Sequence, residues 1–199
     1  MPPLSPLIYL VGPSGAGKDR LLDGVRQRRP ELLVAHRYVT RQSGQSERAI
    51  ALDEAEFAHR ARLGLFCLGW CAHGLRYALG VEVEQWLARD APVVVNGSRR
   101  VLTDARARFG TRLKVIVVEA SSEHRRARLL ARGRESAQAI EARLAVAPAW
   151  IDDAIQVGND GSLEQGVDAL ERALERLGAL GPAHGFERSG GGPGDAFSL

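Results

Sequence analysis

The sequence predicts an α/β domain in which a parallel sheet carries helices on both faces. Three observations predict it. A continuous apolar run, Leu7–Val11, leads into a glycine-rich loop, Gly12-Pro13-Ser14-Gly15-Ala16-Gly17-Lys18-Asp19, and then into a helix-like segment. Two more apolar runs, residues 92–96 and 114–119, have the unbroken hydrophobicity of strands buried on both sides. Helical patterns separate these runs, and strands that alternate with helices imply parallel pairing. At 199 residues the chain is long enough for one such domain with a core.

Taken in order, residues 20–28 place Leu21, Leu22 and Val25 on one helix face, and Pro30 ends that helix. Residues 32–35 read as a second strand. It runs on through His36 to Arg41, which sets Arg37 and Arg41 four apart. Residues 42–48 are polar and read as a loop. Asp53 is placed as the N-cap of a helix over 54–63, with Glu56 at the third helical position and Gly64 as the stop. Residues 66–70 alternate large and small side chains and predict a strand, 72–75 a turn, and 76–79 the return strand. Cys67 and Cys71 lie in this apolar stretch and read as core packing rather than ligands or a disulfide. Residues 81–89 are helical, with Val83, Trp86 and Leu87 as the apolar face. Residues 103–109 form a short helix between the two central apolar strands.

Past residue 119, Ser122 is expected to cap a helix that runs to Arg132. Gly133-Arg134-Glu135 interrupts it, and helix resumes over 136–147. Residues 155–157 form the last strand, 158–161 a loop, and Ser162 caps the final helix to Leu177. Glycine, proline and serine dominate residues 181–199, which read as a disordered tail. The organisation expected is therefore one domain over 1–180 and a flexible tail over 181–199. Its core comes from 7–35, 91–125 and 146–180, with a mixed, acceptor-binding insertion over 36–90 and an arginine-bearing lid over 126–145.

The formal net charge is +3 and the arginines are spread along the chain rather than gathered in a stripe, which argues against a nucleic-acid partner. No stretch reaches membrane-spanning length and the N-terminus has no signal-like segment, so a cytoplasmic protein with no membrane partner is expected. Oligomeric state is not legible.

The chemistry starts at the loop. Its spacing, G-x-x-x-x-G-K between a strand and a helix, is that of a phosphate-binding P-loop. The loop glycines let backbone N–H groups turn inward, and the helix adds its free N–H groups and positive dipole end. Gly12, Pro13, Ser14, Gly15, Ala16, Gly17, Lys18 and Asp19 are thus expected to bind ATP, with Lys18 facing solvent until it meets phosphate. Lys18 and Lys114 are the only lysines among 27 basic residues, so a flexible point charge stands where one is wanted.

One position departs from the pattern. A hydroxyl normally follows the lysine and holds Mg²⁺; here the residue is Asp19. The neighbouring strand ends in Asn96, a weak Mg²⁺ ligand by itself. Two readings stand: Asp19 supplies the metal's carboxylate, or it complements the helix N-terminus as a cap. Phosphoryl transfer also needs cations around the moving group. Arg128, Arg132 and Arg134 cluster about Gly133, and Arg143 follows. Arg128 and Arg132, at i and i+4, repel unless an anion lies between them, or else form a solvated face. Lys18, Asp19, Arg128, Arg132 and Arg134 are the catalytic candidates. Arg37, Arg41, Tyr77, Asn96, Arg99 and Arg143 are the candidates for an anionic acceptor.

These features resemble the guanylate kinase group of P-loop kinases over about residues 7–180. The P-loop, Arg37-x-x-x-Arg41, the insertion, Arg128-Leu129-Leu130-Ala131-Arg132-Gly133 and Arg143-Leu144 carry the resemblance. It departs at the base-reading positions: Leu68 stands where that group has a guanine-reading glutamate, Ala78 and Leu79 follow the tyrosine, and Val95-Asn96 replace strand-end acids. A buried apolar residue leaves guanine's N–H groups unpaired. The departures, with G-P-S-G-A-G-K-D, R-Y-V-T-R, V-V-V-N-G-S-R and A-R-G-R-E, resemble the ribose 1,5-bisphosphate phosphokinase family of phosphonate degradation. That resemblance implies ATP and Mg²⁺, a sugar-phosphate acceptor and 5-phosphoribosyl 1-diphosphate as product. The alternatives are a nucleoside monophosphate kinase of unusual specificity and an inactive, peptide-binding kinase-like module, for which an intact Gly17-Lys18 has no use.

Overall fold

In the computed structural model, residues 4–41, 49–72, 74–133, 137–144 and 151–181 are described. Among them the strands fall into two sheets. The first is parallel and has five strands: β1 (Leu7–Val11), β2 (Leu33–Ala35), β7 (Val93–Asn96), β8 (Leu113–Glu119) and β9 (Ile155–Gly158), in the order β2-β7-β1-β8-β9. The second has four, in the order β4-β3-β6-β5: β3 (Arg37–Thr40), β4 (Ala49–Leu52), β5 (Phe66–Ala72) and β6 (Leu75–Gly80). It is mixed, with β3 parallel to β4 and antiparallel to β6.

Alternation along β1 decides both faces of the first sheet. Ile8 and Leu10 pack with Leu21, Leu22 and Val25 of α1 (Lys18–Arg28) and with Val167, Leu170 and Leu174 of α7 (Leu163–Arg176). Leu7, Tyr9 and Val11 pack on the other side with Val83 and Leu87 of α3 (Glu82–Ala88) and Leu102, Ala105 and Phe109 of α4 (Leu102–Phe109). Leu68, Trp70 and Leu79 of the second sheet join that cluster, so the insertion is fastened to the core by burial.

Because β7 and β8 flank β1 on opposite sides, the chain changes direction at the carboxyl end of β1. In open parallel sheets that crevice is where ligands bind. The P-loop leaves β1 there, Asn96 ends β7 there, and Asn159 follows β9 there.

Several sequence expectations change. The chain leaves the first sheet after Ala35 and starts the second at Arg37, where a strand forms. β4 was not expected at all, and pairs with β3 from Arg37↔Ala49 to Thr40↔Leu52. Ser121, not Ser122, caps α5 (Ser122–Arg132), accepting the His124 N–H. Cys67 is buried but Cys71 is exposed. A register shift between Phe66 and Leu68 turns Cys67 inward beside Leu68, and regular alternation from there points Cys71 out. As expected, Asp53 caps α2 (Glu54–Arg62) through the Glu56 N–H and Ser162 caps α7; Gln165 completes a capping box there that the sequence reading did not foresee. Helix α6 covers Ala137–Leu144. The expected loop over 42–48, Arg134 and Glu135 of the expected interruption, Ser136 and residues 145–147 of the helix expected after it, and residues 182–199 of the expected tail lie outside the described residues.

Candidate active site

The P-loop takes its shape from positions only glycine fills. Gly17 has φ +91°, and a Cβ there would come within 2.4 Å of the Asn159 amide nitrogen. Gly12, at φ +154°, would set a Cβ 2.2 Å from the Val118 carbonyl oxygen. A turn closes where the Ala16 N–H meets the Pro13 carbonyl at 3.2 Å. Lys18 opens α1, and its Nζ donates to the Gly12 carbonyl at 2.7 Å and the Pro13 carbonyl at 3.3 Å. The ammonium therefore lies half-buried in the mouth of the loop rather than facing solvent.

Three side chains from later in the chain hold the rest of the loop. Arg125 Nε donates to the Ser14 carbonyl at 3.0 Å. Arg128 reaches the Ala16 carbonyl at 3.3 Å, the Gly15 carbonyl at 3.5 Å and the Asn159 carbonyl at 2.8 Å. The Asn159 side-chain amide donates to the Ala16 carbonyl at 2.7 Å, while its own N–H is held by Glu119. Arg125 is buried, and burial together with Arg99 nearby pulls its guanidinium below its ordinary value.

Asp19 is the second residue of α1, and the cap position belongs to Gly17. Its carboxylate instead accepts from Asn96 Nδ2 at 2.6 Å, with Arg37 at 4.0 Å. Three elements thus converge: α1, the end of β7 and the start of β3. Asn96 is buried, and among the described residues its Oδ1 has no hydrogen-bond partner, nor has Arg37 Nε. A buried, unpartnered amide oxygen beside a carboxylate is an oxygen-donor set that fits a hard divalent cation. Among the described residues no group of three or more His, Cys, Asp or Glu is arranged for a metal.

On the second sheet, Tyr77 and Trp70 face each other across β6 and β5, stacked with ring centroids 5.6 Å apart and planes 7° from parallel. Arg37 stands over the Tyr77 ring at 6.0 Å, so one side chain spans from the second sheet to the Asp19 corner. Leu68 is buried in the shared core. The turn after β7 is fixed by Tyr9, whose hydroxyl donates to the Ser98 carbonyl and accepts the Ser98 N–H, both at 3.0 Å. Burial pushes that hydroxyl up to about 12, so it stays a donor at any ordinary pH. Arg99 follows at once, at the start of a short 3-10 turn.

The AAA domain family matches residues 7–153. A ribose 1,5-bisphosphate phosphokinase PhnN of Pectobacterium parmentieri is 47% identical over 177 residues, covering 86% of this chain and 94% of that protein. The protein of the same name from Burkholderia mallei is 44% identical, covering 86% and 96%. The chain belongs to the ribose 1,5-bisphosphate phosphokinase family. A guanylate kinase from Anaplasma phagocytophilum shares the fold of this ribose 1,5-bisphosphate phosphokinase family member, with a TM-score of 0.67 at 13% identity, covering 87% and 86% of the two chains.

In this member of the ribose 1,5-bisphosphate phosphokinase family, the structure brings together Gly12 to Asp19, Arg37, Asn96 and Arg128, with Tyr77 reached through Arg37. The charge of Arg99 is felt at Arg125. Arg41 directly follows β3, where its N–H returns to the Val39 carbonyl. Arg132 ends α5 and Arg143 lies on α6, but their side chains, and all of Arg134, lie outside the described residues. Sequence reasoning missed Arg125, Asn159 and the Trp70 stack. Arg125 carried one usable signal: it lies three residues before Arg128, on the same helix face.

Proposed function

We propose that the protein transfers the terminal phosphoryl group of ATP to the 1-phosphate of ribose 1,5-bisphosphate. The products are 5-phosphoribosyl 1-diphosphate and ADP, and the reaction belongs to phosphonate degradation in the cytoplasm. The observation that carries this reading is the Asp19–Asn96–Arg37 corner. There the phosphate loop meets a sheet that offers a guanidinium and an aromatic stack, while Leu68, buried in the core, supplies no acid. Such a surface suits phosphates on a small sugar better than a base edge.

An oxygen of the acceptor's 1-phosphate forms the new P–O bond, the bond from the γ-phosphorus to the bridging oxygen breaks, and ADP leaves with that electron pair. A phosphate monoester is largely dianionic at neutral pH, with a second pKa of about 6. The attacking oxygen therefore needs no base, and the residues' work is positioning and charge. The loop amides and Lys18 hold the β- and γ-phosphates. Asp19 and Asn96 would hold Mg²⁺, which neutralises charge on the β- and γ-oxygens when bound. Arg37, Arg41, Arg99, Arg143 and Tyr77 bind the acceptor, and Arg132 and Arg134 approach the transferring group. Arg128, bonded to loop and Asn159 carbonyls, acts as a positioning residue.

The direct test is product identification. Incubation with ATP, Mg²⁺ and ribose 1,5-bisphosphate, followed by ³¹P NMR, should give a diphosphate on the sugar and stoichiometric ADP. ADP release with no new sugar diphosphate would refute the assignment.

A further inference from the structure

The first turns of α5 lie directly on the P-loop. A Cβ at Gly15 would come 3.0 Å from the Arg125 carbonyl oxygen and 3.2 Å from its Cα, so the helix touches the loop backbone to backbone. Arg125 itself is only 3% exposed. A guanidinium is seldom buried so completely unless it is tied to partners, because desolvating the charge is costly. One tie is the Ser14 carbonyl, 3.0 Å from Nε.

We propose that Arg125 is a positioning residue for the phosphates of ATP: by holding the Ser14 carbonyl behind the loop, it aims the Gly15 N–H into the cradle. A trans peptide is planar, and its C=O and the following N–H point to opposite sides. Fixing the Ser14 oxygen against α5 therefore fixes the next amide on the opposite face, where a phosphate oxygen would lie. The Ala16 carbonyl is held the same way by Arg128 and Asn159, which aims the Gly17 N–H. The Ala16 N–H between them is occupied in the turn to Pro13. Two alternate amides are thus set by two arginines one helical turn apart.

This inference rests on the reading of residues 12–18 as the ATP phosphate site, and the experiment separates the two. Arg125→Leu removes bond and charge, Arg125→Gln keeps a donor without charge, and Arg125→Lys keeps both. Steady-state kinetics, thermal melting and amide hydrogen exchange are measured on each, with Lys18→Ala alongside. Losing a hydrogen bond to a charged group corresponds to about tenfold or more. Arg125→Leu should therefore raise KM for ATP about tenfold, leave KM for the sugar phosphate and kcat within about threefold, and speed exchange at Gly15. Arg125→Lys should restore KM for ATP to within about twofold. A folded Arg125→Leu whose KM for ATP stays within about twofold overturns the proposal, whereas an active Lys18→Ala overturns the site beneath it. Should Arg125→Leu lose its melting transition, Arg125→Gln decides. A rise in KM for ATP alone of about threefold supports the anchor. Equal losses in both KM values and kcat make Arg125 a general fold residue and overturn it.

Discussion

The two halves of the site are built to different tolerances. Around the P-loop, every carbonyl from Gly12 to Ala16 is engaged: Gly12 and Pro13 by Lys18, Ser14 by Arg125, Gly15 by Arg128, and Ala16 by Asn159 and Arg128. At the Asp19–Asn96–Arg37 corner the polar atoms are not used up. Among the described residues Asn96 Oδ1 and Arg37 Nε lack a hydrogen-bond partner, and Arg37 stands 4.0 Å from Asp19 and 6.0 Å from the Tyr77 ring. The contrast is between a phosphate loop whose dipoles are aimed in advance and a corner that keeps hydrogen-bonding capacity unused. Preorganised dipoles need no rearrangement when charge develops, which is how electrostatic catalysis saves energy. Under the function proposed above, the corner receives the acceptor, and lighter tethers let that ligand enter and leave.

If this contrast holds, damage on the loop side should cost most. Lys18→Ala should lower kcat by about a hundred- to a thousandfold, the range for losing one preorganised charge-stabilising donor, with the melting temperature unchanged. Near wild-type turnover would remove the P-loop from the mechanism.

The next largest effect compares two glycines. Gly17→Ala places a Cβ 2.4 Å from the Asn159 amide at φ +91°, so it should displace Asn159 from the Ala16 carbonyl and cost about 1–3 kcal/mol in strain. Gly69→Ala, on the second sheet, has only the Tyr77 carbonyl at 3.6 Å and should be neutral or stabilise by up to about 1 kcal/mol. Chemical denaturation of both variants measures the difference; equal effects would erase the contrast.

Asp19→Asn keeps shape and removes charge. The Mg²⁺ concentration for half-maximal rate should rise about tenfold while nucleotide affinity in its absence changes little, as expected when a carboxylate leaves a hard-cation site. An unmoved Mg²⁺ dependence would return Asp19 to a purely structural role.

The smallest effect lies at the rim. Asp160 accepts the Ser121 N–H at 2.8 Å, which, with His124 nearby, holds its carboxyl below the usual value of 3.8. A carboxyl depressed in the folded state adds stability above its unfolded pKa and loses it as pH falls through the folded one. Asp160→Asn should thus lower the melting temperature slightly at pH 7, where that contribution is fully present, and the gap to the unmodified protein should close as pH falls below about 4.

How far the sequence could be read follows the range of the forces involved. The strand–loop–helix at residues 7–28, the central strands and the Ser162 cap were legible, because continuous hydrophobicity and local capping are written within a few neighbouring residues. Asp19, Asn96 and Arg37 were each legible as unusual residues, and the fold brings them together. What was not legible depends on distant partners. β4 is a strand because β3 pairs with it, while its own four residues, Ala49–Leu52, carry little periodicity. Cys71 faces out because of a shift in pairing three residues earlier. Arg125 and Asn159 hold carbonyls more than a hundred residues away, and no spacing rule reaches that far.

The central claim, that this site transfers phosphate to a sugar bisphosphate and rejects bases, is tested most directly by kcat/KM for ribose 1,5-bisphosphate and for GMP, measured side by side on the unmodified protein. Guanine's N–H groups would face buried Leu68 unpaired, at about 1–3 kcal/mol, while the second phosphate gains charge-assisted bonds worth about 1.5–3 kcal/mol each. Both push the same way, so the sugar bisphosphate should be preferred by at least about a hundredfold. Equal or better use of GMP would contradict the account and make the protein a guanylate kinase.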